Sequence, residues 1–271
     1  MKFCQRNCAK VLMNCFFSSP KHQDREKTLR KTNSEKDVKS EDKITDNRQP
    51  SNNKMIITFA TQKGGAGKTT LAIAFANYLS IVSERSIKVY DFDFQKSFYS
   101  KWLDDEESEL PKLYDVEVIG EDDTKPPFRD LEEVIELKES ENIYIYDLAG
   151  TLDRKYSDVL IYSDFIIIPF EYSDVSVKST LVFRNLLGLL ESEAERIFIR
   201  SKYDKGYKYR NQQEMDQELA KYGLLLENSV HKRNSLQSIN TRTLNYDQKN
   251  AVKRPFNEII EQINKELKIT L

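Results

Sequence analysis

Three of the eight glycines in this 271-residue chain, Gly64, Gly65 and Gly67, fall within four consecutive positions. Glycine makes up only about 3% of the chain, against roughly 7% in ordinary proteins, so such crowding marks a backbone with a special task. The cluster stands in Thr61-Gln62-Lys63-Gly64-Gly65-Ala66-Gly67-Lys68-Thr69-Thr70. Without a Cβ, the glycines let backbone N–H groups approach phosphate oxygens closely. A helix opening at the end of the loop adds a dipole that favours the anion. Lys68 is spaced to reach the β- and γ-phosphates of a nucleotide, and the Thr69 hydroxyl to ligate Mg²⁺. The candidate cofactor-binding residues are therefore Gly64, Gly65, Ala66, Gly67, Lys68, Thr69 and Thr70.

Two further segments bring carboxylates to strand ends. Val89-Tyr90-Asp91-Phe92-Asp93-Phe94-Gln95 places Asp91 and Asp93 at the close of an apolar run. Ile143-Tyr144-Ile145-Tyr146-Asp147 ends a second run in an acid, followed by Leu148-Ala149-Gly150. An acid at the carboxyl end of a buried strand can hold the Mg²⁺ shell beside the loop threonine.

The elements that must position these groups are legible in the hydrophobic pattern. Short apolar, β-branched or aromatic runs at 55–60, 87–92, 143–147, 165–169 and 196–200 read as strands buried on both faces. Helical spacing lies between them at 68–82, 128–139, 174–191 and 211–222. Alternation of this kind predicts an α/β domain over residues 55–271, a doubly wound, mostly parallel sheet flanked by helices. Residues 18–54 hold only three large aliphatic side chains, Leu29, Val38 and Ile44, amid dense mixed charge. Residues 1–54 are thus predicted to be a disordered basic and polar tail. Two readings of it stay open: an accessory arm, or an extension upstream of a start at Met55. The three cysteines, Cys4, Cys8 and Cys15, all lie in that tail, so residues 55–271 hold no disulfide scaffold, cysteine zinc cluster or iron–sulfur site. His22 and His231 are the only histidines, which leaves no His-based triad. No run of 18 apolar residues occurs, so no transmembrane helix is expected.

The loop departs from the ordinary P-loop. Gln62 stands where that pattern has glycine, and Lys63 precedes the glycines. On this Lys-Gly-Gly-x-Gly-Lys-Thr-Thr signature the chain resembles the ParA/MinD family of deviant-Walker ATPases, over essentially 55–271. The resemblance implies a P-loop NTPase fold, ATP and Mg²⁺ as cofactors, and a homodimer formed on ATP binding. It implies that Lys63 reaches across that dimer to the partner's nucleotide, as an arginine finger would. The segment from Asp91 to Gln95 looks like the family's Asp-x-Asp-Pro-Gln, with Phe94 in place of proline. By that likeness Asp93 orients the attacking water and Asp91 lies near Mg²⁺ or a water on it. Lys63, Lys68 and Asp93 become the candidate catalytic residues, and Thr69, Asp91 and Asp147 the candidate metal residues. Leu148-Ala149-Gly150 departs from the family's usual residues after its Walker B acid. Arg200-Ser201-Lys202 stand where the family has an asparagine near the adenine, so base contacts are not assigned.

Charge is uneven along the chain. Residues 104–142 carry 16 acids and 4 bases, whereas 196–254 carry 13 bases and 6 acids. The basic stretch includes Arg200, Lys202, Lys205, Lys208, Arg210, Lys232, Arg233, Arg242, Lys253 and Arg254, with Tyr203, Tyr207 and Tyr209 interleaved. Such a surface contacts phosphates without sequence preference. The resemblance implies nonspecific DNA binding there, a ParB-like partner, and a cytoplasmic, nucleoid-associated ATPase that partitions a plasmid, mobile element or chromosome. Arg200, Lys202, Lys232, Arg233, Arg242, Lys253 and Arg254 are the candidate DNA contacts. Two alternatives stay open on the same fold: a membrane-associated positioning ATPase of the MinD kind, or an ATP-dependent small-molecule ligase. The first needs a basic amphipathic C-terminal helix. Here Phe256, Ile259, Ile260, Ile263 and Leu267 form an apolar stripe, but the opposite face is not net basic. The stripe is therefore expected to pack on the core, without stable membrane insertion.

Overall fold

The computed structural model describes residues 55–120, 126–151, 153–210 and 212–271. The tail expected over 1–54 lies outside them. Among the described residues, seven strands form one parallel sheet: β1 (Ile56–Phe59), β2 (Ile87–Phe92), β3 (Asp115–Val118), β4 (Ile143–Leu148), β5 (Phe165–Phe170), β6 (Glu195–Arg200) and β7 (Leu224–Leu225). Their order across the sheet is β3-β2-β4-β1-β5-β6-β7. β1, β4 and β5 are buried along their whole length, as continuous apolar runs require. The edge strand β3 instead turns Val116 inward and Asp115 and Glu117 outward.

The helices are α1 (Lys68–Val82), α2 (Ser97–Asp104), α3 (Leu131–Glu139), α4 (Ser157–Tyr162), α5 (Asp174–Leu189), α6 (Gln212–Leu219) and α7 (Tyr246–Leu267). α3 begins three residues later than its periodicity suggests. Asp130 stops it by capping, its carboxylate accepting from Glu133 N–H at 2.9 Å. α2 buries only Phe98 and Trp102, one turn apart, too sparse a stripe to read from sequence. α7 starts in a capping box of Asn245 and Gln248, and it buries Val252, Phe256, Ile259, Ile260, Ile263 and Leu267. Phe256 meets Phe75 of α1 edge-on at 5.1 Å, so the C-terminal stripe belongs to the core. Among the described residues no helix is long and apolar enough to cross a membrane.

One buried polar group ties the C-terminal loop to α1. Asn77 is fully buried, donates to the carbonyls of Asn240 and Thr243 at 2.7 and 3.0 Å, and accepts from the Tyr114 hydroxyl at 2.6 Å. All three bonds satisfy a side chain that would otherwise oppose folding. They also fix the loop that carries Arg242.

Candidate phosphate-binding and catalytic site

β1 sits centrally, between β4 and β5, and the chain leaves its carboxyl end through the glycine loop into α1. This is where open parallel sheets form their ligand crevice. Gly65 and Gly67 adopt φ of 79° and 81°, a region that side-chain-bearing residues rarely enter. No side chain caps α1 and no acid lies in its first turn. The opening N–H groups of the helix are thus left for an anion. The loop borders a cleft of about 950 Å³, lined by Lys63, Lys68, Thr69, Asp93, Arg154, Lys155 and Lys202 among others.

Inside the cleft the acids and bases are already paired. Lys68 Nζ lies 2.8 Å from Asp147 Oδ1 and 3.9 Å from Asp93 Oδ2. The Thr69 hydroxyl donates to Asp147 Oδ2 at 2.7 Å. Asp147 is fully buried, and this pairing is what makes its burial tolerable. A threonine hydroxyl and a carboxylate within hydrogen-bond distance are hard oxygen donors, the set that suits Mg²⁺ with phosphate and water oxygens.

Asp91 is placed differently. Its Oδ2 accepts from the N–H groups of Phe98 and Tyr99 at 3.0 and 2.9 Å, and its Oδ1 from Asp93 N–H at 3.1 Å. The carboxylate thereby braces the loop that presents Asp93 and starts α2. Burial pushes its pKa up to about 6; the nearby charge of Asp147 adds to this, and the bound amides oppose it.

Lys63 donates to Glu171 Oε2 at 3.3 Å and to Ser173 Oγ at 3.2 Å. Glu171 Oε1 also holds Lys202 at 3.2 Å, and Lys202 Nζ donates to the Gly65 carbonyl. Glu171 thus joins the signature lysine to the loop. It escaped sequence reading, although it stands one residue past the end of β5, where the rule that found Asp147 would have pointed. Gly150 is a second contact of this kind. A Cβ there would lie 2.9 Å from Gly64 N and 3.0 Å from the carbonyl carbon of Lys63. Only glycine lets the loop after β4 lie against the glycine loop.

The basic surface needs correction. Arg242 is buried, with Nε on the Asp105 carbonyl at 3.0 Å and Nη2 on the Trp102 carbonyl at 3.2 Å. Arg200 pairs with Asp216 at 2.9 Å and also binds the Tyr172 hydroxyl and the Leu226 carbonyl. Both are structural ties, and Lys202 serves the cleft. Lys232, Arg233, Lys253 and Arg254 remain exposed, as do Lys205, Lys208 and Arg210. A parallel bridge between Tyr203 and His231 draws two of these groups together, 205–210 and 232–233. Around it the rings of His231, Tyr203, Tyr209 and Tyr207 succeed one another at 5.5, 5.5 and 4.9 Å.

Solved structures share this architecture. A plasmid partition protein from Borrelia burgdorferi B31 bound to AMPPNP is 20% identical, with 79% of this chain and 99% of that chain covered and a TM-score of 0.61. Apo McdA from Cyanothece is 16% identical, covering 77% and 99%, with a TM-score of 0.59. A chain of the MinC:MinD cell division protein complex of Aquifex aeolicus is 17% identical, covering 69% and 86%, at a TM-score of 0.51. No curated protein sequence matches the chain. The CobQ/CobB/MinD/ParA nucleotide binding domain matches residues 57–252. With that match spanning most of a chain whose glycine loop, strand-end acids and parallel sheet are all in place, the protein belongs to the CobQ/CobB/MinD/ParA family of nucleotide-binding domains.

Proposed function

We propose that residues 55–271 form a ParA-like ATPase that dimerises on ATP, binds DNA without sequence preference and is reset by a ParB-like partner. The observation that carries this reading is Lys63. It stands at the mouth of the cleft with its ammonium held by Glu171 and Ser173, outside the Lys68–Asp147–Thr69 cluster. A lysine so placed can serve a nucleotide that faces its own subunit.

In this reading Lys68 and the loop amides hold the β- and γ-phosphates. Thr69 and Asp147 would hold Mg²⁺, which would supply charge neutralisation. Asp93, beside Lys68, orients water for in-line attack, and Asp91 fixes the Asp93 loop instead of reaching the metal. Lys63 of each subunit neutralises charge at the other's γ-phosphate. Positioning and electrostatics then supply most of the acceleration.

DNA contact is assigned to the exposed groups Lys205, Lys208, Arg210, Lys232 and Arg233, with Lys253 and Arg254 on α7. The fold likeness to a plasmid partition protein supports a partition role. A MinD-like membrane role loses ground because the α7 stripe is packed on the core. DNA co-sedimentation with ATP, ADP or no nucleotide across a salt series tests the reading. Retention only with ATP, falling steeply with salt, is expected. Equal retention in all three states, or none with ATP, would sink it.

A further inference from the structure

The turn that presents Asp93 has a weak point. Gln95 N–H donates to Asp93 Oδ1 at 3.0 Å, and Lys96 N–H to the Asp93 carbonyl at 2.9 Å. Asp93 is therefore the first residue of a four-residue turn and Phe94 the second. Proline suits that second position because its ring sets φ in advance. Phenylalanine leaves φ free, and the Phe94 ring is 79% exposed.

What meets that ring is a lysine from another loop. Lys155 Nζ lies 4.6 Å from the centre of the Phe94 ring. The same ammonium is 5.3 Å from Tyr156 and 5.7 Å from Phe92. Those two rings are buried and pack edge-on at 4.8 Å. The short turn Arg154–Tyr156 that carries Lys155 is itself capped by Asp153, which accepts from Lys155 N–H. Lys155 thus stands on a fixed base and offers its charge to a ring on the Asp93 turn.

We propose that Lys155 and Phe94 are positioning residues for Asp93, their cation–π contact restraining a turn that proline would restrain through its own ring. The proposal rests on the reading of Asp93 as the acid that orients water. It accounts for an exposed phenylalanine beside a catalytic carboxylate, and it links the loop after β4 to the loop after β2. Lys155 also lines the nucleotide cleft, so the rival role is direct contact with phosphate.

The test uses the full chain as wild type, Lys155→Met, Lys155→Arg, Phe94→Pro and Lys155→Met with Phe94→Pro. Amide exchange at Gln95 and Lys96 is measured without nucleotide, and kcat and KM for ATP are measured separately. An exposed cation–π contact shifts an equilibrium by about two- to five-fold. Lys155→Met is expected to speed exchange at both amides by that factor and to lower kcat by at most that factor, with KM unchanged. Lys155→Arg retains wild-type values. In the Phe94→Pro background, Lys155→Met changes neither exchange nor kcat. An undiminished loss in that background, a rise in KM in place of a fall in kcat, or unchanged exchange in Lys155→Met would each overturn the proposal. Exchange needs no turnover, so a chain that fails to hydrolyse ATP would sink the ATPase reading while exchange still decides this one.

Discussion

Lys63 is held by Glu171 of its own chain, ammonium to carboxylate at 3.3 Å. A lysine that completes a second subunit's site must leave this partner. Lys63→Gln should leave ATP binding by the monomer nearly unchanged while lowering stimulated turnover by about 10³ or more, the scale of a charge supplied in trans. Calorimetry and partner-stimulated phosphate release check the two halves. Unchanged stimulated turnover would count against completion in trans.

Lys68 and Thr69 share Asp147, whose carboxylate is fully buried. Lys68→Ala should abolish nucleotide binding. It should also destabilise the nucleotide-free protein by about 3 kcal/mol, because a buried charge loses its partner. Lys68→Met with Asp147→Asn should recover that stability but not binding. Urea melts separate the cases, and equal stability of wild type and Lys68→Ala would contradict the pairing.

Asp91 gives a pH signature. Its folded pKa, about 6, lies above the ordinary carboxylate value of 3.8. The folded state therefore binds the proton more tightly. The stability this group contributes is fully present below pH 3.8 and is lost as pH rises through 6. Wild type should thus lose about 3 kcal/mol relative to Asp91→Asn across that window. Paired denaturant melts at a series of pH values measure the difference. A flat difference would contradict the burial of a titrating carboxylate.

Arg242 and the 205–210 group should behave oppositely on DNA. Alanine at Lys205, Lys208 and Arg210 should reduce the salt slope of binding by about 0.9 per lost phosphate contact and leave stability nearly unaltered. Arg242→Ala should leave the slope unchanged and lower stability by about 1–3 kcal/mol through its lost bonds to buried carbonyls. Fluorescence anisotropy on duplex DNA across a salt series, with thermal melts, reads both. The reverse pattern would return Arg242 to the surface.

Much of this architecture is written locally. β1, β4 and β5 were legible because strands buried on both faces must be apolar throughout. The glycine loop was legible because positive φ at Gly65 and Gly67 leaves little choice of residue. The site's wiring was not. Glu171 and Lys63 are 108 residues apart, and no local pattern pairs them. Asp91 and Asp93 look alike at a strand end, yet Asp91 lies within β2 and accepts from the α2 amides, whereas Asp93 lies past the strand's last residue and faces Lys68. Charge counting placed Arg242 outside, whereas Asn77 holds its loop down from within α1.

The central claim is that Lys63 of one subunit completes the site of another. Mixing Lys63→Gln with Asp93→Ala tests it most directly. Neither variant alone should turn over ATP under stimulation. In a mixed dimer, the Asp93→Ala subunit still donates Lys63 to a partner that still has Asp93. The account predicts that turnover returns on mixing and rises with the fraction of mixed dimers. Two inactive variants that stay inactive together, while dimerising normally on ATP, would contradict it.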